Sequence, residues 1–264
     1  MPLLTLYQVD AFTTRLFGGN PAAVLILDDW LSEPVMQAIA EENNLSETAF
    51  ARPRADGGWD LRWFTPTHEV NFCGHATLAT AHVLAAEHGL GGDFRFSTRV
   101  GALNVIRRDG AYLLDLSCLA PEPVRAEPSQ LQILFGDRRR ATFRNFENLF
   151  VELEDEAAVR AYIPDHTVIA TLRPPGLVIT ARGTAHDFVS RYFVPAEGIP
   201  EDPVTGSIHA TLVPYWAEKL GKTRLSAFQC SKRGGHLDCA LADGRVMLSG
   251  GAVTFMQAMI RLPD

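Results

Sequence analysis

Apolar and polar residues alternate along Leu4-Thr5-Leu6-Tyr7-Gln8-Val9, the two-residue period of a half-buried strand. A second strand, Ala22-Ala23-Val24-Leu25-Ile26, is entered through the turn Gly18-Gly19-Asn20-Pro21. The period then changes. Ser32 ahead of Glu33-Pro34 opens a helix that runs to about Asn43, with Val35, Ile39 and Ala40 on one face. Ser46–Phe50 and Asp60–Phe64 read as strands, the second ended by Pro66. From Gly74 to His88 apolar residues recur at helical spacing, many of them alanine, and Gly89 supplies the stop. Leu103–Ile106 and Tyr112–Leu116 are strand-like again. The prolines between Pro121 and Pro128, with Glu and Arg among them, make the best candidate linker.

Part of this pattern occurs twice. Arg62-Trp63-Phe64-Thr65-Pro66 matches Arg191-Tyr192-Phe193-Val194-Pro195, and each is followed by a glycine that opens an apolar helix, Gly74-His75 and Gly206-Ser207. Each helix closes on a glycine at the same distance, Gly89 and Gly221, and the second loop is three residues longer. Chance reuse of a strand-loop-helix unit is the weaker reading, because Arg, aromatic, Phe, Pro and both glycines all recur. The expected architecture is two α/β halves, about residues 1–118 and 119–264, with a last strand near Phe255–Leu262 returning to the first.

Composition narrows the function classes. The chain has 264 residues, 47% hydrophobic and 21% charged, which suffices for a sizeable core. A formal net charge of −7 and a single basic knot, Arg138-Arg139-Arg140, argue against nucleic-acid or anionic-membrane partners. The opening MPLLTLYQVDAF reads as a first strand rather than a signal peptide, and no uncharged run approaches spanning length. Cys73, Cys118, Cys230 and Cys239 lack CxxC spacing, so a reducing cytosol is expected, with neither disulfides nor a structural metal site.

A duplicated glycine-led helix has a chemical use. Two such units related by a pseudo-twofold bring two helix N-termini to one cleft, where unpaired N–H groups and partial positive charge suit a carboxylate or an enolate-like anion. The polar groups at those starts are Cys73-Gly74-His75 and Asp202-Pro203-Val204-Thr205-Gly206-Ser207. Cys73 is either an ordinary buried thiol or a base favoured as thiolate by the helix N-terminus. His75 is a cap or a donor to substrate, Asp202 a turn residue or a site carboxylate, and Ser207 a capping residue or a ligand contact. Arg233, beside Gly234 and Gly235, is a turn residue or a second anion contact. Glu47, among Leu45, Ala49 and Phe50, faces solvent or sits in a pocket whose desolvation raises its pKa toward neutral proton transfer.

Gly19-Asn20-Pro21-Ala22, Asn44–Phe50, Arg62–Pro66, Phe72–Thr77, Glu201–Ser207 and Gln229–Gly235 together resemble the phenazine-biosynthesis (PhzF-like) isomerase family. The resemblance implies the diaminopimelate-epimerase-like α/β fold, two pseudo-twofold-related halves each with a sheet wrapped around a central helix. It also implies a homodimer and no cofactor; a small cyclic or amino carboxylate is the expected substrate, and no metal is expected. In that family the glutamate matching Glu47 shuttles a proton between carbons, and positions matching Cys73, His75, Asp202 and Ser207 line the same pocket; Asn20, Gly74, Gly206 and Arg233 are the further candidates for substrate contact in this chain. The phenazine isomerase carries an aspartate where this chain has Cys73. The related epimerases oppose two cysteines, and the second-half position is assigned here to Asp202, which disfavours a two-thiol epimerase.

Three functions compete. The first is an isomerase that moves a proton within a small carboxylate, Glu47 being the acid/base. The second is a racemase or epimerase in which Cys73 also takes a proton. The third is a non-catalytic binding or scaffold protein, which has no need of the Glu47, His75 and Asp202 set.

Overall fold

In the computed structural model, which describes residues 3–262, the chain divides into two units: residues up to Asp115 together with those from Ser249, and residues 116–248. Met1 and Pro2 of the opening segment, and Pro263 and Asp264 at the end of the second expected half, lie outside the described residues.

In the first unit β1 (Leu3–Ala11) pairs antiparallel with β2 (Asn20–Ile26) and, on its other edge, with residues 252–261. β2 runs parallel to β3 (Glu47–Pro53), a pairing that needs a crossover. Helix α1 (Glu33–Asn43) supplies it, started by Pro34 and ended by Asn44 in the left-handed conformation. β3 turns back on β4 (Trp59–Phe64), which pairs with the two-residue β5 (Glu69–Val70). Helix α2 (Gly74–His82) then crosses to β6 (Phe94–Thr98), parallel to β4, and β7 (Gly101–Arg108) and β8 (Ala111–Ser117) complete a meander. Every residue of α2 from Gly74 to Ala81 is buried. Its small side chains let β1, β2, β3 and β7 pack around it.

The second unit opens with β9 (Glu122–Pro123), α3 (Ser129–Phe135), β10 (Arg139–Arg144) and β11 (Asn148–Leu153). There follow α4 (Glu156–Ala161), α5 (His166–Ile169), β12 (Gly176–Arg182), β13 (Phe188–Val194) and β14 (Ile199–Asp202). Helix α6 (Gly206–Leu220), β15 (Arg224–Gln229), β16 (Gly235–Ala242) and β17 (Arg245–Gly250) close it, and β18 (Ala252–Arg261) is the strand that pairs with β1. Its pairing repeats that of the first unit step by step. β10–β11 is antiparallel, β11–β12 parallel, β12–β13 and β13–β14 antiparallel, β13–β15 parallel and β15–β16 antiparallel. The repeat read from one motif therefore covers nearly the whole of each unit.

Helix α6 is the buried helix of its unit, with Ile208, His209, Leu212, Val213 and Trp216 inside. Pro214 within it has no N–H to give the carbonyl of Ala210 one turn back; Leu119 N–H donates to that carbonyl instead, at 3.0 Å. Among the described residues no helix is long and apolar enough to cross a membrane.

Three expectations are corrected. The Pro-rich stretch is no linker: the units divide between Asp115 and Leu116, and Glu122-Pro123 is an edge strand paired with β10, a place where a residue lacking N–H is tolerated. The helix from Gly74 stays α-helical only to His82 and widens into a π-helical turn over Val83–Glu87 before Gly89. The register also changes the partner assigned to Cys73. Trp63 faces Val70 and Tyr192 faces Asp202, so the Asp202 position corresponds to Val70. Cys73 and Thr205 are the two N-caps, and the three extra residues lie earlier, in the turn at Pro195–Glu197 before β14.

Candidate active site

Gly19 and Asn20 end the turn into β2. Gly19 has φ +62°, and a Cβ there would meet the Ala11 carbonyl oxygen at 2.0 Å, so only glycine lets the chain pass and drop Asn20 into the interior. Glu47 opens β3 directly beside Ala22. Cys73 is the N-cap of α2, with Gly74 and His75 its first two residues. Local structure thus gathers Asn20, Glu47, Cys73, Gly74 and His75 of the first unit at one helix start.

The imidazole of His75 is the centre of the group. Nδ1 lies 3.2 Å from Asn20 Nδ2 and 3.4 Å from Cys73 Sγ, while Nε2 lies 3.2 Å from Glu47 Oε2. With the Asn20 amide donating to Nδ1, the ring proton belongs on Nε2, facing the carboxylate. The ring is buried, and desolvation lowers its pKa from 6.5 to about 3, so it is neutral at physiological pH. The Nε2···Oε2 approach is within contact distance but outside hydrogen-bond alignment, which leaves Nε2 a buried donor without a hydrogen-bond partner. A neutral imidazole beside a carboxylate leaves the carboxylate's charge uncancelled. The Thr77 hydroxyl donates to the Cys73 carbonyl at 2.6 Å and fixes the first turn.

The second unit builds its helix start differently. Asp202 is buried, and its Oδ2 accepts from the hydroxyl of the N-cap, Thr205. Gln229, fully buried at the end of β15, accepts from Thr205 N–H at 2.8 Å and donates to the Asp202 carbonyl at 2.8 Å and to Thr205 Oγ1 at 3.2 Å. His209 Nδ1 donates to the Thr205 carbonyl at 2.7 Å, the place Thr77 takes in α2. Burial lowers its pKa to about 4. Neither N-cap side chain accepts from a backbone N–H of its own helix, so the first N–H groups of α2 and α6 are not capped by Cys73 or Thr205. Gly206 is buried and Ser207 half-buried. Arg233 sits in the turn 231–234, which Ser231 ties to the corner by donating to the Pro203 carbonyl at 2.8 Å. Asp202, Gly206, Ser207 and Arg233 thus belong to one helix start and its adjoining turn.

Sequence reasoning missed Gln229 and His209. Gln229 stood only inside a glycine-rich motif, and His209 lies one turn into an apolar helix with no pattern to mark it. Their signal is the repeat itself, since His209 falls at the position of Thr77.

A family model described as "Phenazine biosynthesis-like protein" matches residues 9–258. An uncharacterized isomerase of Pseudomonas aeruginosa is 48% identical over 260 residues, 98% of this chain and 99% of that protein. The crystal structure of a PhzF-family phenazine biosynthesis protein of Enterococcus faecalis has a TM-score of 0.94 at 42% identity, covering 99% of this chain and 100% of that one. A hydroxyproline epimerase of Agrobacterium vitis shares the fold at 11% identity, with a TM-score of 0.63 over 99% of this chain and 93% of that one.

Proposed function

Since this chain belongs to the phenazine biosynthesis-like, or PhzF-like, protein family and is an isomerase-type enzyme, we propose that it moves a proton between carbons of a small carboxylate, with Glu47 as the general acid/base and no cofactor. The observation that carries this reading is the buried neutral imidazole of His75, whose partnerless Nε2 stands beside the Glu47 carboxylate. A carbon acid next to a carbonyl or carboxyl group loses its proton to Glu47, and negative charge moves onto the substrate oxygen. The His75 Nε2–H and the first N–H groups of α2 are donors for that charge. Glu47, now protonated, returns the proton to a different carbon, so the electron pairs shift within the substrate and nothing else is consumed. In this reading Asn20 and Cys73 shape the pocket wall around Glu47, and Asp202, Gly206, Ser207 and Arg233 are proposed as substrate-contact residues at the helix start of the second unit.

The register supports this proton shuttle over a two-thiol racemase. A symmetrical pair of thiol bases needs a cysteine at each N-cap, and the second N-cap is Thr205. Family expectation extends the reading to a homodimer in a reducing cytosol, questions for sedimentation and cell fractionation. The decisive variant is Glu47→Gln, nearly isosteric and unable to take the proton. It is expected to bind ligand and melt like wild type while turnover falls on the order of 10²–10⁴-fold. Turnover near wild type would remove Glu47 as the base and leave Cys73 as the leading candidate.

A further inference from the structure

Trp63 is 1% exposed, and its indole N–H has no hydrogen-bond partner among the described residues. A buried tryptophan N–H usually finds an acceptor, and a buried group left without one calls for a partner that arrives from outside the chain. We infer that Trp63 Nε1–H is a substrate-contact donor of the Glu47 site, where it takes an oxygen of the substrate's carboxylate or of the enolate-like anion formed from it.

Strand alternation puts the ring on the right face. Phe50 and Phe64 pack in the cluster with Met36 and Ala40 of α1, so Glu47, Ala49 and Trp63 take the opposite face, where α2 packs on β3. Trp63 stands directly across from Ala49, and Glu47 is two residues before Ala49 on that face. The two are therefore diagonal neighbours, a separation of roughly 7–8 Å that an aromatic side chain spans. Trp63 also meets Phe72 edge-on, with ring centroids 6.2 Å apart, and Phe72 adjoins Cys73, the N-cap of α2. The repeat supplies an independent observation. Tyr192 holds the Trp63 position, and Gly176 holds that of Glu47, because Phe193 faces Leu177 as Phe64 faces Thr48. A Cβ on Gly176 would stand 2.9 Å from Tyr192 Cε2. In the second unit, then, the aromatic of this motif lies against the position that Glu47 holds in the first. The donor set names the ligand class. His75 Nε2–H, the first N–H groups of α2 and the indole are all neutral donors, and Glu47 is the one carboxylate among Asn20, Glu47, Cys73, Gly74 and His75. Such a set fits the acceptor-rich end of a substrate. An indole N–H only donates, so it holds charge on oxygen while the proton moves between carbon and Glu47.

The catalytic meaning of this contact rests on Glu47 being the base; carboxylate binding does not, and it is tested without the substrate. The intact chain, labelled with ¹⁵N, is titrated with sodium acetate and separately with sodium benzoate, against sodium chloride as control. Benzoate has a trigonal carbon beside its carboxylate, as a carbon acid does after losing its proton. The four tryptophans give four indole N–H signals, and the one missing from Trp63→Phe belongs to Trp63. The expected result is a saturable downfield shift of that signal with either carboxylate and none with chloride, together with shifts of the Gly74 and His75 amides. Trp63→Phe, followed through those two amides, should bind the carboxylates about 10-fold more weakly, the worth of a hydrogen bond to a charged acceptor. Near-ultraviolet circular dichroism checks its fold. If it does not fold, the wild-type signal is assigned by elimination with Trp30→Phe, Trp59→Phe and Trp216→Phe, and its shift decides alone. A Trp63 signal that stays in place while Gly74 and His75 move overturns the proposal, as does an equal shift with chloride, equal affinity in a folded Trp63→Phe, or no response to either carboxylate. No Trp63 shift with Glu47→Gln inactive sinks the indole donor alone; a shift with Glu47→Gln fully active sinks the proton-transfer reading alone.

Discussion

Gln229 is the residue whose replacement should say most about how the second helix start is held. Leucine has nearly its volume and none of its polarity. Gln229→Leu would take the acceptor from the Thr205 N–H and the donor from the Asp202 carbonyl, both now bonded at 2.8 Å inside a buried corner. Each backbone group left without a partner costs about 1–3 kcal/mol. The Thr205 hydroxyl keeps its bond to the Asp202 carboxylate, so the third contact adds little. The expected loss is about 2–5 kcal/mol, or roughly 5–15 °C in Tm for a chain of this size. Trp216 suits the assay: it is the one tryptophan in the second unit, buried and stacked on Phe188, so in a background with Trp30, Trp59 and Trp63 replaced by Phe its fluorescence in a urea titration follows that unit. If the proposed function is right, kcat should fall with stability, because Asp202 and Ser207 lose their fixed placement. A Gln229→Leu protein within about 0.5 kcal/mol of wild type would refute the accounting and show that the corner does not need its amide.

The two buried histidines make stability depend on acid. His75 and His209 titrate near 3 and 4 when folded and near 6.5 when unfolded, both through burial. The unfolded chain therefore binds more protons below pH 6.5, and stability present above that pH is lost as pH falls toward the folded values. The urea midpoint should drop by on the order of a few kcal/mol equivalent between pH 6.5 and 5, and His209→Asn should flatten that slope; a midpoint constant over the interval contradicts the burial argument. Gly234 has φ +67°, and a Cβ there would stand 2.7 Å from the Phe228 ring. Gly234→Ala should cost about 1–3 kcal/mol and loosen the Ser231 tie to Pro203, read as lower Tm with more rapid amide exchange over 203–207.

The sequence by itself determined a good deal. Alternation placed β1, because a half-buried strand has no other way to satisfy both faces, and short apolar or aromatic runs bounded by turns placed β2, β4 and β8. The Arg-aromatic-Phe motif exposed the duplication because each copy does a structural job: Arg62 makes a bidentate pair with Glu69, and Arg191 makes the same pair with Glu201. That pairing is local in the chain, so it leaves a local trace. Glu47, Cys73 and His75 were legible through their motifs, and the structure brings them into one group with Asn20. What only the tertiary structure decided depends on register and on distant partners. The match of Cys73 to Thr205 rather than Asp202 follows from which residue faces Tyr192 across a ladder, and counting along a loop of unequal length cannot give it. Gln229 reaches back 24 residues to Thr205, and Leu119 reaches forward to the carbonyl that Pro214 leaves open. The protonation of His75 is of the same kind: an imidazole titrates near 6.5 in a peptide, and the burial that folding imposes keeps this one neutral beside a carboxylate.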